Sequence, residues 1–341
     1  MHAYTGTALA SETPSCVELC AGGGGQALGL ERAGFRHAAL CDVDADAAGT
    51  LLANRPGWNV LHRDVRTLSP AELYPTQDIS LLAAGVPCPP FSLAGRQLGA
   101  DDERDLFPAV VRLTAALGPR AVLIENVKGI LQDKFADYRA NVIRELQSLG
   151  YATDWRLLRS CDFGVPQLRP RAVLVALRPE AFDHFTWPVP TTCPETAPQV
   201  GHVLYESMAS HGWELARQWA DGASRIAPTL CGGSRKHGGP DLGPSRARQA
   251  WARLGVNGSS LADSPPRPGT PMPVKLTVAQ MALLQGFPSD WTFIGGKTSA
   301  YRQIGNAFPP PVAEAVGRRI AAALTLADSP ASRHAQTSSA Q

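Results

Sequence analysis

Four consecutive glycines, Gly22 to Gly25, stand between the apolar run "SCVELC" and the helical pattern "GQALGLERAG". A residue without Cβ lets the backbone turn sharply and lets its amides approach a ligand closely. Strand, glycine turn and helix open an alternation that continues down the chain. "HAALCDVD" predicts a second strand and "ADAAGTLLANRP" a helix stopped before Pro56. "WNVLHRD", "DISLLAAG" and "RAVLIENV" predict further strands, and "LFPAVVRLTAALG" and "DYRANVIRELQSLG" predict helices. Strands near "ATDWRLLRS" and "RAVLVAL" complete the set. Such alternation implies an α/β fold with a doubly wound, mostly parallel sheet and helices on both faces. Sheets of this kind bind ligands beyond the carboxyl ends of their strands. Glu18 to Gly25, Asp42, Asp64, Cys88 and Glu125 are all expected there.

The glycine turn alone leaves the ligand open. Gly22, Gly24 and Ala27 satisfy the loose dinucleotide pattern GxGxx[GA], and Asp42 ends the next strand where a ribose hydroxyl can be met. An NAD site fits these residues nearly as well as any other nucleotide-bearing cofactor. Two further patterns carry no site. "GGKT" at 295–298 has Trp291 where a phosphate loop needs its first glycine, and Cys16 and Cys20 share one strand face and are expected in the core.

Composition excludes several classes. The 341 residues are 44% hydrophobic and 18% charged, with a net charge of +2, which fits a globular chain with ample core. No run of about 18 apolar residues predicts a transmembrane helix, and the start lacks the charged and apolar regions of a secretory signal. Seven cysteines, without paired CxxC spacing, argue against both a disulfide framework and a zinc site. A cytoplasmic chain is expected, with no membrane partner and no metal.

The stretch "GVPCPPFS" sets one cysteine among three prolines at the end of a predicted strand. Pro87 and Pro89 fix φ on both sides of Cys88 and remove two amide donors, so the thiol sits on a stiff turn. "ENVKG" ends the neighbouring strand with the carboxylate of Glu125, and "PQLRPR" brings Arg169 and Arg171 to the start of the last strand.

Taken together, "ELCAGGGGQALGLERAGF", "GVPCPPFSLAG", "ENVKG", "PQLRPR" and "QIGNAFPPPVAEAVG", in that order, resemble the motifs of bacterial DNA (cytosine-5) methyltransferases of the restriction-modification type. The resemblance spans roughly residues 15–325. It implies S-adenosylmethionine as cofactor, held by Glu18, Leu19, Cys20, Gly22, Gly24 and Gly25 at the turn. It adds Asp42 at the ribose, Asp64 and Val65 at the adenine, and Val43, Pro87, Asn306 and Ala307 as further cofactor contacts. Cys88 is implied as nucleophile on C6 of a flipped cytosine, Glu125 as the group at N3 and the exocyclic amine, and Arg171 as the contact to O2, with Arg169 a further catalytic residue. Physics makes the same demands: a soft nucleophile for a ring carbon, a carboxyl of raised pKa for N3, and a base out of the stack. The sequence departs from the commoner family form at Pro89, Cys20, Val43 and Ala307. Cys20 and Val43 stand where aromatic residues often pack on the cofactor.

The chain divides into a catalytic and cofactor-binding domain (1–186), a loop-rich target-recognition domain (187–275), a returning segment (276–327) and a tail (328–341). Residues 200–275 carry nine Lys/Arg and five Asp/Glu, a local net of +4 (9 − 5). The resemblance implies contacts to double-stranded DNA from Ser92, Arg96 and Arg104, and base or phosphate contacts from Arg235, Lys236, His237, Arg246 and Arg248. A separate cognate restriction endonuclease is an expected companion. An RNA cytosine methyltransferase, a silent DNA-binding relative and an NAD-dependent oxidoreductase are the rival readings; the last gives the cysteine loop no role.

Overall fold

The computed structural model of the chain describes residues 13–73, 78–87, 105–233 and 239–329. Its strands are β1 (Ser15–Leu19), β2 (Arg36–Asp42), β3 (Val60–His62), β4 (Leu81–Gly85), β5 (Ala121–Val127), β6 (Ala152–Arg159) and β7 (Pro170–Leu177). They form one sheet in the order β3-β2-β1-β4-β5-β7-β6. The first five run parallel, and β7 runs antiparallel to both β5 and β6. The reversal has a local cause. Only a short 3₁₀ turn, Ser160–Phe163, lies between β6 and β7, and a parallel return needs a longer crossover.

Helices connect and cover the strands: α1 (Gly25–Arg32), α2 (Ala45–Asn54), α3 (Pro70–Leu73), α4 (Phe107–Leu117), α5 (Ala136–Ser148) and α6 (Pro179–Phe182). Side chains alternate across the sheet, and each face has its own core. Val17, Leu19, Leu82, Ala84, Val122 and Ile124 pack with Val110 and Leu113 of α4 and Leu146 of α5. Cys16, Leu81, Ala83, Leu123 and Val175 pack with Leu30 of α1 and with Val316 and Ile320 of the last helix. Truncating a fully buried residue such as Ile320 to alanine would cost about 2–5 kcal/mol.

Beyond β7 come α7 (Val200–Ala209), α8 (Ala216–Gly222), α9 (Ser245–Ala252), α10 (Val278–Gln285), α11 (Lys297–Asn306) and α12 (Pro310–Ala327). The region read as loop-rich thus carries three short helices, α7 to α9, among long connections. Trp213, Trp219, Trp251 and Met208 form a third cluster there with Leu276, Met281, Tyr301 and Ile304. That cluster runs across position 275, so α10 and α11 share the core of the recognition region.

The last helix returns to the first. A Cβ on Gly29 of α1 would lie 2.5 Å from both Ala313 Cβ and Pro310 O, and one on Gly317 of α12 would lie 2.8 Å from Ala33 Cβ. Small residues therefore bring α1 and α12 almost backbone to backbone. This contact fixes the C-terminal segment against the helix that starts at the glycine turn.

Candidate active site

The glycine turn leaves β1 through three left-handed residues, Cys20 (φ 54°), Gly22 (φ 55°) and Gly24 (φ 85°). Its glycines divide by environment. A Cβ on Gly25 would meet Phe308 O at 2.3 Å, and one on Gly24 would meet Trp291 at 2.7 Å. One on Gly22 would meet nothing within 4 Å. Gly23 to Gly25 are thus glycines because the 287–308 segment lies against them, whereas Gly22 faces open space. Trp291 Nε1 donates to Gly23 O at 3.0 Å and holds the turn from behind.

Asp42, at the end of β2, fixes the turn from the other side. Its Oδ2 accepts from Gly22 N at 2.7 Å and its Oδ1 from Asp44 N at 2.8 Å, while burial pushes its pKa upward. Val43 beside it is 62% exposed, an apolar side chain left open next to the turn. Asp64 is paired with Arg66, which lowers its pKa, and Val65 turns its side chain into the core. The backbone of this loop is shaped by Arg112 of α4, whose Nη2 donates to Val65 O and Leu68 O, each at 3.1 Å.

Two expected cofactor contacts have buried side chains. Glu18 is 1% exposed; His37 Nε2 lies 3.3 Å from its carboxylate, which also accepts from the Ala27 amide. It supports the start of α1 from beneath the turn. Leu19, fully buried, is a core residue of the opposite face. Cys20 also leaves the predicted strand, since β1 ends at Leu19. Pro87 is half-buried just beyond β4, Asn306 is exposed at the end of α11, and Ala307 follows it half-buried.

Next to the glycine turn lies a buried ion pair. Register sets Gly85 of β4 opposite Glu125 of β5, and Val127 opposite Arg171 of β7. Arg171 Nε stands 2.7 Å from Glu125 Oε1, with side chains only 8% and 5% exposed. Burial raises the Glu125 pKa; Arg171 and Arg169 pull it back without cancelling the rise. A carboxyl held this way can give a hydrogen to a ring nitrogen and stabilise charge there. Cys88, three residues after Gly85, lies outside the described residues, as do Ser92, Arg96, Arg104, Arg235, Lys236 and His237.

The two arginines of "PQLRPR" divide their work. Arg171 faces Glu125, but Arg169, 0% exposed, donates to the carbonyls of Leu230, Gly305 and Ala307, each at 2.8 Å. Arg169 is therefore a buried tie between segments. Gln167 and Gln285 join the same network, and neither they nor Trp291 and Arg112 were singled out as functional from sequence. Their partners lie far along the chain, so no local spacing marks them. On the recognition side, Arg246 and Arg248 are exposed on α9 while Trp251 anchors its other face in the core.

The strand order, the glycine turn and the buried Glu–Arg pair define an α/β enzyme of the methyltransferase class. Residues 15–322 match the family described as C-5 cytosine-specific DNA methylase. The chain belongs to this family and is a DNA cytosine-5 methyltransferase. It is 55% identical over 315 residues to the type II methyltransferase M.NaeI of Lentzea aerocolonigenes, covering 91% of this chain and 75% of that protein. It is 48% identical over 311 residues to M.NgoMIV of Neisseria gonorrhoeae, covering 90% of this chain and 97% of that one. A prophage-encoded E. coli protein described as a DNA modification methyltransferase shares the fold, with a TM-score of 0.65 and 24% identity over 92% of this chain and 99% of its own. No described helix is long and apolar enough to cross a membrane.

Proposed function

We propose that this enzyme takes its methyl group from S-adenosylmethionine and places it on C5 of a cytosine turned out of a specific duplex sequence, through a covalent bond between Cys88 and C6. The observation that carries the reading is the buried Glu125–Arg171 pair, set beside the glycine turn and opposite the strand that leads to Cys88.

The residues fit the cofactor. Gly22 offers free space where any side chain would project, its amide is oriented by Asp42, and Val43 leaves an apolar surface beside it. The turn amides would hold the methionine part, Asp42 the ribose, the Asp64–Val65 backbone the adenine and Asn306 a further edge. When bound, the cofactor supplies an electrophilic methyl group on sulfur.

The chain's own groups do the rest. The Cys88 thiolate attacks C6, and the ring electrons move towards N3 as Glu125 gives or shares its proton there. C5 becomes nucleophilic and would take the methyl group that the bound cofactor supplies, as N3 returns its proton to Glu125. A solvent water then takes the C5 proton, and the electrons of that C–H bond restore the C5–C6 double bond and expel the thiolate. Arg171 anchors O2 and keeps Glu125 oriented. Arg246 and Arg248 would contact DNA from the recognition region, and a separate endonuclease of the same specificity fits the type II relatives.

Tritiated methyl transfer from S-adenosylmethionine to DNA and RNA, followed by mapping of the modified base, tests this. Label at C5 of cytosine within one DNA sequence is expected. Label confined to RNA, or at another atom, overturns the reading.

A further inference from the structure

The buried network around Arg169 has a geometry that simple packing does not require. One nitrogen, Nη2, donates to both Gly305 O and Ala307 O, the two carbonyls that flank Asn306. The other, Nη1, donates to Leu230 O. Gln285, fully buried, donates from Nε2 to Ala307 O at 2.6 Å. Gln167, also fully buried, accepts from Leu230 N at 2.8 Å and donates to Gln285 Oε1 at 2.7 Å. Three side chains thus bind the backbone on both sides of Asn306 to the backbone at Leu230.

The two held segments touch again at their ends. Asn306 Nδ2 donates to Gly233 O at 3.2 Å. A Cβ on Gly305 would lie 2.4 Å from Gly232 N, and one on Gly232 would lie 2.7 Å from Asn306 Oδ1. Cys231 in turn neighbours Gly243, which would place a Cβ 3.5 Å from Ala247 of α9, the helix that carries Arg246 and Arg248. The neighbours of Asn306 thus extend through Gly232, Cys231 and Gly243 to the basic helix.

We propose that Gln167, Arg169 and Gln285 are positioning residues that lock the Leu230–Gly233 segment to the end of α11, so that cofactor binding and DNA binding strengthen each other. The inference rests on the reading of Asn306 as a cofactor contact and of α9 as a DNA contact. A ligand that orders Asn306 orders Gly233 through their shared hydrogen bond, because the clamp stops the two backbones from separating. By linkage, DNA that orders α9 must favour the cofactor by the same factor.

The test measures affinity for a labelled duplex carrying the mapped site, with and without saturating S-adenosylhomocysteine. Wild type is expected to bind DNA tighter with the cofactor product by about tenfold, within the usual range for coupled sites. Gln285→Met keeps the side chain's size but loses the bond to Ala307. Its DNA affinities with and without the product should differ by less than about twofold, while binary affinity for the product stays within about threefold of wild type. Loss of stability alone would not change that ratio. Should Gln285→Met not fold, Gly232→Ala applies the test from the segment itself by pressing on Arg302 O of α11 and on Asn306, and the same collapse is expected. A folded variant that keeps the wild-type ratio, or a wild-type ratio of one, overturns the proposal. Methyl transfer by the wild-type enzyme is measured alongside. Absence of transfer refutes the functional reading, whereas transfer with an insensitive ratio refutes only the coupling.

Discussion

Arg171 Nε stands 2.7 Å from Glu125 Oε1 across neighbouring antiparallel strands, both side chains sealed from water. The pair sets a balance: burial favours the neutral carboxyl, and the guanidinium favours the anion. Glu125→Gln keeps the shape but removes both proton and charge. Turnover should fall by about 10²–10⁴-fold, the usual contribution of a positioned acid, with cofactor affinity little changed. Loss of cofactor binding with turnover preserved would place Glu125 in another site.

The same pair has a signature in stability. A carboxyl whose pKa is raised by folding contributes fully when protonated in both states. That contribution is lost as pH rises from the ordinary carboxylate range through the raised value. Glu125→Gln has no such loss, whatever fixed cost comes from leaving Arg171 without its counter-charge. Relative to wild type, the variant should therefore gain stability steadily from acid towards neutral pH. Denaturant melts of both proteins across that range check the sign, and a difference that stays flat or falls contradicts a raised pKa.

Cys88 is tested by trapping. With a fluorine at C5 of the target cytosine, no proton can be eliminated, so wild type should form a stable covalent complex with DNA that resists denaturation. Cys88→Ala should form none and should lose methyl transfer while still binding duplex. A trapped complex with the alanine variant would assign the nucleophile to another residue.

The glycines of the turn should separate in their effects. Gly22→Ala meets open space but must hold φ 55°, a strain of roughly 1–2 kcal/mol, and its methyl group enters the space left for the cofactor. Cofactor affinity should drop more than stability. Gly25→Ala drives a methyl into Phe308 O, so the fold itself should be lost or severely weakened. Melting temperature and cofactor titration on the two variants read this contrast; equal effects on both measures would refute it.

Arg246→Ala and Arg248→Ala should weaken DNA binding. A phosphate contact lowers affinity for every sequence and reduces the slope of log affinity against log salt by about one; a base contact relaxes one position of the site. Binding to randomised duplexes at two salt concentrations distinguishes these. Unchanged affinity in both variants would remove α9 from the DNA interface.

Most of the sheet was legible because short continuous apolar runs and helix stops are local signals. The reversal of β7 was not, since it depends on whether a crossover helix fits between two strands. The burial of Glu18 was legible too, since it shares a strand face with Cys16, and strand alternation turns both inward. Arg169 and Arg171, two residues apart, could not be told apart, because the carbonyls that claim Arg169 come from residues 230, 305 and 307. The helices of the recognition region are short, and the tryptophans that hold them find their partners only in the folded chain.

The closing of α12 onto α1 has a consequence for synthesis. Gly25 and Gly29 are covered by residues 307–314, which are synthesised long after the turn itself. A growing chain can build its strands early, yet the glycine turn stays unsupported until α12 docks. Chains released by translation that stalls before α12 should therefore be inert.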